Sequence, residues 1–444
     1  MLDIKNRRIL VIGAGKSGIA LLKLIKHLGG IPILTEQKKI DLIESTVLDQ
    51  IKVHADQFEF GGHSEKIIDS ADLIVLSPGT SIDSPFIKLV SLKGIPVMGE
   101  IEFSFQFTNV PVISVTGSNG KTTTVHLIHQ ILLDNGIDSQ LCGNVGVPFA
   151  EQILEGKKGG YIVLEVSSFQ MESLWDVVIK QNWTKQYPWL NQMRPFHPKI
   201  AVLLNLSENH LDRHRDCEEY FTAKFKMFQN QGGGDYALIP MEQTNIRSRV
   251  GSLKASLIDF SGHIEKIQGK TGKVNPNYAA VLAVSQILQL DESKCLTILK
   301  EFKGLEHRLE WVDKIDGVDY FNDSKSTTVE ATRWALNQLK EPIILICGGR
   351  DKSLDFSVIK QEVRSKVRAL IAIGEAKEKI ENVFKGDTSV LIAEDLKGAV
   401  FKAKECARPG ENVLLSPMCA SFDMFRNYED RGKTFKLIVK DLMS

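Results

Sequence analysis

The chain holds no run of about eighteen apolar residues, so it offers no transmembrane helix. Its first residues lack the apolar stretch of a secretory signal. Charge of one sign is not in excess: 55 basic and 55 acidic residues leave a formal net charge of +0. No global basic field draws nucleic acid, and no nucleic-acid partner or membrane insertion is expected. Cysteine is sparse, and Cys142, Cys217, Cys295, Cys347, Cys406 and Cys419 form no C-x-x-C pair. That excludes a zinc ribbon or a disulfide frame and suits the reduced thiols of a cytoplasmic protein. Low-complexity segments and fixed-period repeats are absent too. What remains is a globular composition, 43% hydrophobic and 25% charged. At about 150 residues per domain, 444 residues predict three domains.

The chain is organised around Val112-Ile113-Ser114-Val115-Thr116, a β-branched run suited to a buried strand. A turn follows through Gly117, Ser118, Asn119 and Gly120. After Lys121, Thr122 and Thr123 the pattern becomes helical, with Val125, Ile128 and Leu132 on one face. Strand, glycine turn, Lys-Thr and helix make a polyphosphate cradle. The glycines let backbone N–H groups approach, the lysine neutralises β/γ-phosphate charge, and the Thr122 hydroxyl can ligate Mg²⁺. The spacing is Gly-x-x-Gly-Lys-Thr, not the general G-x-x-x-x-G-K-[ST]. An ordinary strand–turn–helix connection is the bland alternative.

From the N-terminus, a strand at Arg8–Ile12 runs into Gly13-Ala14-Gly15-Lys16-Ser17-Gly18 and a helix, a G-x-G-x-x-G order. Glu36 ends the next strand, where a carboxylate could accept from a ribose or a base N–H. Ser77 and Gly79 follow a further strand. This reads as a small Rossmann-like unit for a nucleoside diphosphate; bound NAD, and with it an oxidoreductase, is the rival reading. In the middle, Asn144 lies in a turn of small residues. Glu165 ends a buried strand ahead of Ser167 and Ser168, the usual hard-oxygen position for Mg²⁺. His210 follows the strand Ile200–Asn205. Lys224 sits on a helix from Cys217 to about Gln229, where the bare pattern gives a solvated lysine. Three of the five tryptophans, Trp175, Trp183 and Trp189, fall in an irregular stretch up to Arg194; it reads as a self-contained flap, with a substrate lid or partner contact as the alternative. Beyond Leu305, a hairpin turning at Asp316-Gly317 and strands at 343–347, 369–373 and 412–415 describe a second Rossmann-like sheet. Its ligand edge carries Asn322-Asp323-Ser324-Lys325 and Lys352.

Six motifs together resemble the Mur ligase superfamily over essentially the whole chain: Thr116–Thr122, Leu164–Gln170, Asn209–His214, Glu306–Glu310, Asn322–Thr327 and Ser416–Phe425. The resemblance implies an α/β protein of three domains. Residues 1–98 would be a UDP-binding Rossmann-like domain, 99–304 a central ATP-binding sheet, and 305–444 a C-terminal Rossmann-like domain, with a hinge at 304–306. It implies an ATP- and Mg²⁺-dependent ligase, with two Mg²⁺ ions. The Ser416–Phe425 motif favours the branch that adds D-glutamate to UDP-N-acetylmuramoyl-L-alanine, a cytoplasmic step of peptidoglycan synthesis by a monomer. Other Mur ligases and a folylpolyglutamate synthetase-type enzyme are the nearer alternatives.

Site roles follow from the same resemblance. Gly117 to Thr123, Asn275, Arg308, Asp323 and Lys325 would bind the nucleotide. Thr122, Glu165, His210 and Lys224, the last as a carbamate, would hold metal. Asn144 and His210 would hold the substrate carboxylate against the γ-phosphate, and Ser167 would contact the substrate. Thr327, Lys352, Ser421 and Phe422 would surround the incoming amino acid, and Gly15, Lys16, Ser17, Glu36, Ser77 and Gly79 the UDP moiety. Lys121, Asn144, His210, Lys224, Lys325 and Lys352 form the catalytic set. The chain departs from the pattern at Asn209, where relatives carry Asp, and at Val274-Asn275-Pro276-Asn277-Tyr278 near the adenine.

Overall fold

The computed structural model describes residues 1–156, 159–207, 214–271, 275–351 and 354–442, with the side chains of 177 and 178 excepted. His210, Asn209 and Lys352 lie outside the described residues. The chain forms two compact units, Met1–Glu301 and Phe302–Ser444.

The first unit carries two parallel sheets. One comprises β1 (Arg8–Ile12), β2 (Ile31–Glu36), β3 (Gln57–Phe60), β4 (Leu73–Leu76) and β5 (Val97–Gly99), in the order β3-β2-β1-β4-β5. The chain reverses direction across the sheet between β1 and β4, so the crevice for a ligand opens at their C-terminal ends. The other comprises β6 (Val112–Thr116), β7 (Ser139–Gly143), β8 (Tyr161–Glu165), β9 (Ile200–Leu203), β10 (Tyr236–Ile239) and β11 (Ser256–Asp259). Their order is β11-β10-β9-β6-β8-β7. All five residues of β6 are buried, as expected of a central parallel strand covered on both faces. Its neighbours β8 and β9 bring Glu165 and the 204–207 loop beside the phosphate turn.

The second unit is a six-stranded sheet of β12 (Glu310–Ile315), β13 (Val318–Asn322), β14 (Ile343–Gly348), β15 (Val367–Ile373), β16 (Ser389–Ile392) and β17 (Asn412–Leu415). The order is β12-β13-β17-β14-β15-β16, antiparallel only between β12 and β13. Asp316 and Gly317 both have positive φ, 51° and 80°, as a two-residue type I′ hairpin requires.

The tryptophan-rich stretch is not a self-contained flap. Trp175, Leu190 and Met193 are buried in the same core as Leu22, Val75 and Phe103 of the first sheet's layer. The Trp175 indole N–H donates to the Val97 carbonyl at 2.6 Å, and the Tyr187 hydroxyl to that of Gly94 at 2.7 Å. Arg7 lies 4.9 Å from the Trp189 ring centroid. From the helix Glu100–Phe105, buried at every residue, the Glu102 carboxylate accepts the backbone N–H groups of Trp175 and Phe196 at 3.0 Å each. The segment is a strap that joins the two sheets of the first unit.

Candidate active site

The phosphate turn is preorganised by its own loop and by the one after β9. Gly117 and Gly120 have φ of 151° and 84°, the left-handed region that glycine enters without strain. A Cβ on Gly120 would lie 2.2 Å from Asn277 Oδ1, so Asn277 packs directly on the turn. Asn275, its neighbour, caps the helix Pro276–Ile287 and accepts from the Asn277 N–H. Asn205 exchanges hydrogen bonds with both backbone groups of Asn119. The Ser118 hydroxyl lies 3.0 Å from Ser207 O and 3.2 Å from the Tyr220 hydroxyl. Lys121 leads the helix Lys121–Asp134 and folds back onto the turn, donating to Gly117 O at 2.8 Å and Ser118 O at 3.0 Å. Thr122 is buried beside it.

Glu165, at the end of β8, is 2% exposed. Asn144 donates to its Oε1 at 2.8 Å, while Oε2 is buried without a hydrogen-bond partner among the described residues. A buried carboxylate oxygen left without a donor is costly unless a cation or a ligand meets it. This orphaned oxygen, at the end of the strand paired with β6, fits Mg²⁺, a hard cation with oxygen ligands.

Lys224 is where the bare helical pattern misleads. The helix Cys217–Phe225 turns it inward, and it is 1% exposed. Its amine donates to Thr116 Oγ1 at 3.2 Å and Gly117 O at 3.0 Å, and lies 4.7 Å from the Tyr220 ring centroid. Burial, with the Lys121 charge beside it, holds its pKa well below the ordinary lysine value, against the pull of Glu165. Ser167 forms a capping box with Gln170 at the start of the helix Ser168–Glu172. The His214 ring lies 3.0 Å from the Ser168 hydroxyl.

In the first sheet's crevice, Gly15 caps the helix Lys16–His27 without a side chain, and no acidic residue occupies the first turn. Anionic ligands suit such a terminus. Both Glu36 oxygens serve the loop itself: Oε2 accepts the Ala14 N–H at 2.8 Å and Oε1 the Lys38 N–H at 2.9 Å. The Ser77 hydroxyl donates to Gly13 O at 3.2 Å. A Cβ on Gly18 would stand 1.9 Å from Gly13 O, so helix and turn close only over a glycine.

The second unit carries Asp323, Lys325, Thr327, Ser421 and Phe422 on the loops after the adjacent parallel strands β13 and β17, and Arg308 ahead of β12. Asp323 follows β13 and is 3% exposed. It accepts from the hydroxyls of Ser326 and Ser416 and from the Leu309 N–H. Burial pushes its pKa up to about 6, against those hydrogen bonds and the charge of Arg308. Lys325 lies 5.2 Å from the ring centroid of Tyr428, a residue the motifs did not single out. Thr327 follows on the same loop. Ser421 is buried on the loop after β17, whereas Phe422 is 58% exposed.

Family models match in chain order: a Mur ligase MurD-like N-terminal domain over residues 7–99, a Mur ligase middle domain over 115–286, and a Mur ligase glutamate ligase domain over 307–419. The chain is 35% identical to a UDP-N-acetylmuramoylalanine–D-glutamate ligase of Thermoanaerobacter pseudethanolicus, over 99% of this chain and 100% of that protein. It is 34% identical to one of Salinibacter ruber, over 99% of each. Among solved structures, MurF ligase from Thermotoga maritima in complex with ADP shares the fold, with a TM-score of 0.55 and 14% identity over 100% of each chain. UDP-N-acetylmuramate-alanine ligase MurC from Thermotoga maritima does so with a TM-score of 0.54 and 15% identity, over 98% of this chain and 100% of that one.

Proposed function

The chain belongs to the Mur ligase family, and from that premise we propose that it joins D-glutamate to UDP-N-acetylmuramoyl-L-alanine at the expense of ATP, a step of peptidoglycan synthesis. The observation that carries the chemistry is the constellation around the phosphate turn: Lys121, the buried amine of Lys224 and the unmet oxygen of Glu165.

A carboxylate is a poor acyl donor. Its oxygen takes the γ-phosphoryl group of ATP and ADP leaves, which gives an acyl phosphate. The amine of D-glutamate then attacks the acyl carbon, the C–O bond to phosphate breaks, and an amide, inorganic phosphate and a proton result. Both steps concentrate negative charge where preorganised cations stabilise it best. Lys121, now turned onto Gly117 and Ser118, would exchange those carbonyls for phosphate oxygens. Asn144 holds one oxygen of Glu165 and leaves the other without a partner among the described residues. Thr122 and Glu165, with His210, are the residues to hold Mg²⁺, which when bound neutralises phosphate charge and polarises the transferred group. The neutral amine of Lys224 is the form that reacts with carbon dioxide. As a carbamate it would become an anionic oxygen ligand for a second Mg²⁺. The first sheet's crevice, with Gly15, Lys16, Ser17, Ser77 and Gly79, is assigned to the UDP moiety, and Glu36 shapes it by holding Ala14 and Lys38. In the second unit, Arg308, Asp323 and Lys325 are assigned to nucleotide, and Thr327, Lys352, Ser421 and Phe422 to D-glutamate. The domain limits 1–98, 99–304 and 305–444 and a monomeric cytoplasmic enzyme complete this reading.

The test is phosphate release with ATP, Mg²⁺ and UDP-N-acetylmuramoyl-L-alanine, comparing D-glutamate, L-glutamate and no amino acid. Release that depends on D-glutamate, with a product heavier by one glutamyl residue, is expected. Release only with a different amino acid or a folate acceptor would replace the substrate and keep the fold.

A further inference from the structure

Arg431 lies on the helix Tyr428–Asp441 and is 0% exposed. A buried guanidinium ordinarily faces a carboxylate. Among the described residues none forms an ion pair with it; burial lowers its pKa to about 10, opposed only in part by Cys419 and Asp423. Its hydrogen bonds go elsewhere. Nε donates to Ser324 Oγ at 3.0 Å, and Nη2 to Ser324 O at 2.9 Å and Cys419 O at 3.2 Å, with Nη1 also on Cys419 O at 3.3 Å. Ser324 Oγ in turn donates to Tyr428 O at 2.8 Å. Gly349 makes the room: its φ is 137°, and a Cβ there would stand 3.2 Å from Arg431 Nη1 and 2.3 Å from Ala420 O.

These bonds fall on two loops. Ser324 lies between Asp323 and Lys325, on the loop that continues to Thr327 after β13. Cys419 lies two residues before Ser421, on the loop after β17. Strands β13 and β17 are adjacent and parallel, so both loops leave the same edge of the sheet. A planar fork with five donors can hold two backbone carbonyls at a fixed spacing; a lysine cannot.

We propose that Arg431 is a positioning residue for the ligase reaction, fixing the loop of Asp323, Lys325 and Thr327 against the loop of Ser421 so that both meet the incoming amino acid in register. The inference rests on the reading of this edge as the D-glutamate site. Arg431 touches no substrate; it acts through the two loops. A misplacement of such loops by about 1 Å costs up to about 100-fold in reaction. The effect therefore falls on D-glutamate and, through Asp323 and Lys325, on ATP, and spares the UDP substrate assigned to the first unit. A residue that serves folding alone would lower the active fraction and leave every KM unchanged.

Two variants test this, R431K and S324A, each read by steady-state kinetics beside circular dichroism and thermal melting. For folded R431K, a rise in KM for D-glutamate of about tenfold to 100-fold is expected, with KM for UDP-N-acetylmuramoyl-L-alanine within about twofold. S324A removes only the hydroxyl that Arg431 and Tyr428 share, and a rise of about threefold to tenfold is expected. If R431K does not fold, S324A decides alone. Folded variants with wild-type KM for D-glutamate, or a KM for the UDP substrate that rises equally, overturn the inference. Wild-type protein that releases no phosphate with D-glutamate overturns the underlying reading first, and this inference with it.

Discussion

Lys121 and Lys224 donate to one acceptor: their side-chain nitrogens lie 2.8 and 3.0 Å from the carbonyl oxygen of Gly117. Two ammonium ions on one carbonyl repel each other, and burial together with the Lys121 charge holds the pKa of Lys224 well below the ordinary lysine value. An unfolded lysine stays protonated to about pH 10.4. Below that value the unfolded chain binds the extra proton, so this site lowers stability as pH falls and restores it as pH rises. Lys224→Met keeps the length and removes the amine. Its melting temperature is expected to match or exceed that of the wild type at neutral pH, while phosphate release falls by about 100-fold or more. Unfolding curves and turnover on one preparation check both halves; parallel loss of stability and activity would contradict them.

Asn144 fixes one oxygen of Glu165 and leaves the other unmet. Partners that orient a metal-holding carboxylate typically change metal affinity by about 10-fold to 100-fold. Asn144→Ala is therefore expected to raise the Mg²⁺ concentration for half-maximal activity by that factor, with much of the rate recovered at saturating Mg²⁺. A Mg²⁺ titration of initial rates checks it. An unchanged half-saturation would remove Asn144 from this role.

What the sequence made legible was local. The phosphate turn, the Gly13–Gly18 turn and the Asp316-Gly317 hairpin each depend on backbone conformations that glycine supplies, and each is present. Lys224 was illegible from its own helix, because its burial comes from the turn and Tyr220 that close over it. The helix Glu100–Phe105 carries Glu100 and Glu102 in its first turn, yet every residue in it is buried. Its partners, Trp175 and Phe196, are remote in sequence. Arg431 was missed for the same reason: nothing near it in sequence announces that its acceptors are Ser324 and Cys419.

Gly18 is tested by its size. A methyl group there meets Gly13 O at 1.9 Å, and backbone cannot step aside as a side-chain tip can. Gly18→Ala is expected to cost about 1–3 kcal/mol of stability, the usual range for overpacking, and to weaken binding of the UDP substrate. Denaturation curves and calorimetric titration with UDP-N-acetylmuramoyl-L-alanine check both effects. A variant with unaltered stability would mean the helix shifts to accept the methyl.

The strap that joins the two sheets of the first unit is expected to be sensitive to alkali. Glu102 is 0% exposed, and burial pushes its carboxyl up to about 8, against the N–H groups of Trp175 and Phe196. Its folded pKa is thus above the unfolded value, about 4.3. Between the two the folded state binds the extra proton, so the stability contributed by this group is full below the unfolded pKa. It is lost as pH rises through the folded one. Glu102→Gln carries a constant cost, since its amide faces an N–H donor on one side, but it does not titrate. Wild-type protein should therefore lose stability relative to Glu102→Gln between pH 5 and pH 9, by on the order of a few kcal/mol. Guanidinium unfolding of both proteins, followed by tryptophan fluorescence at each pH, reads the difference. Parallel pH profiles would show that the carboxyl stays ionised throughout, held so by its two N–H donors.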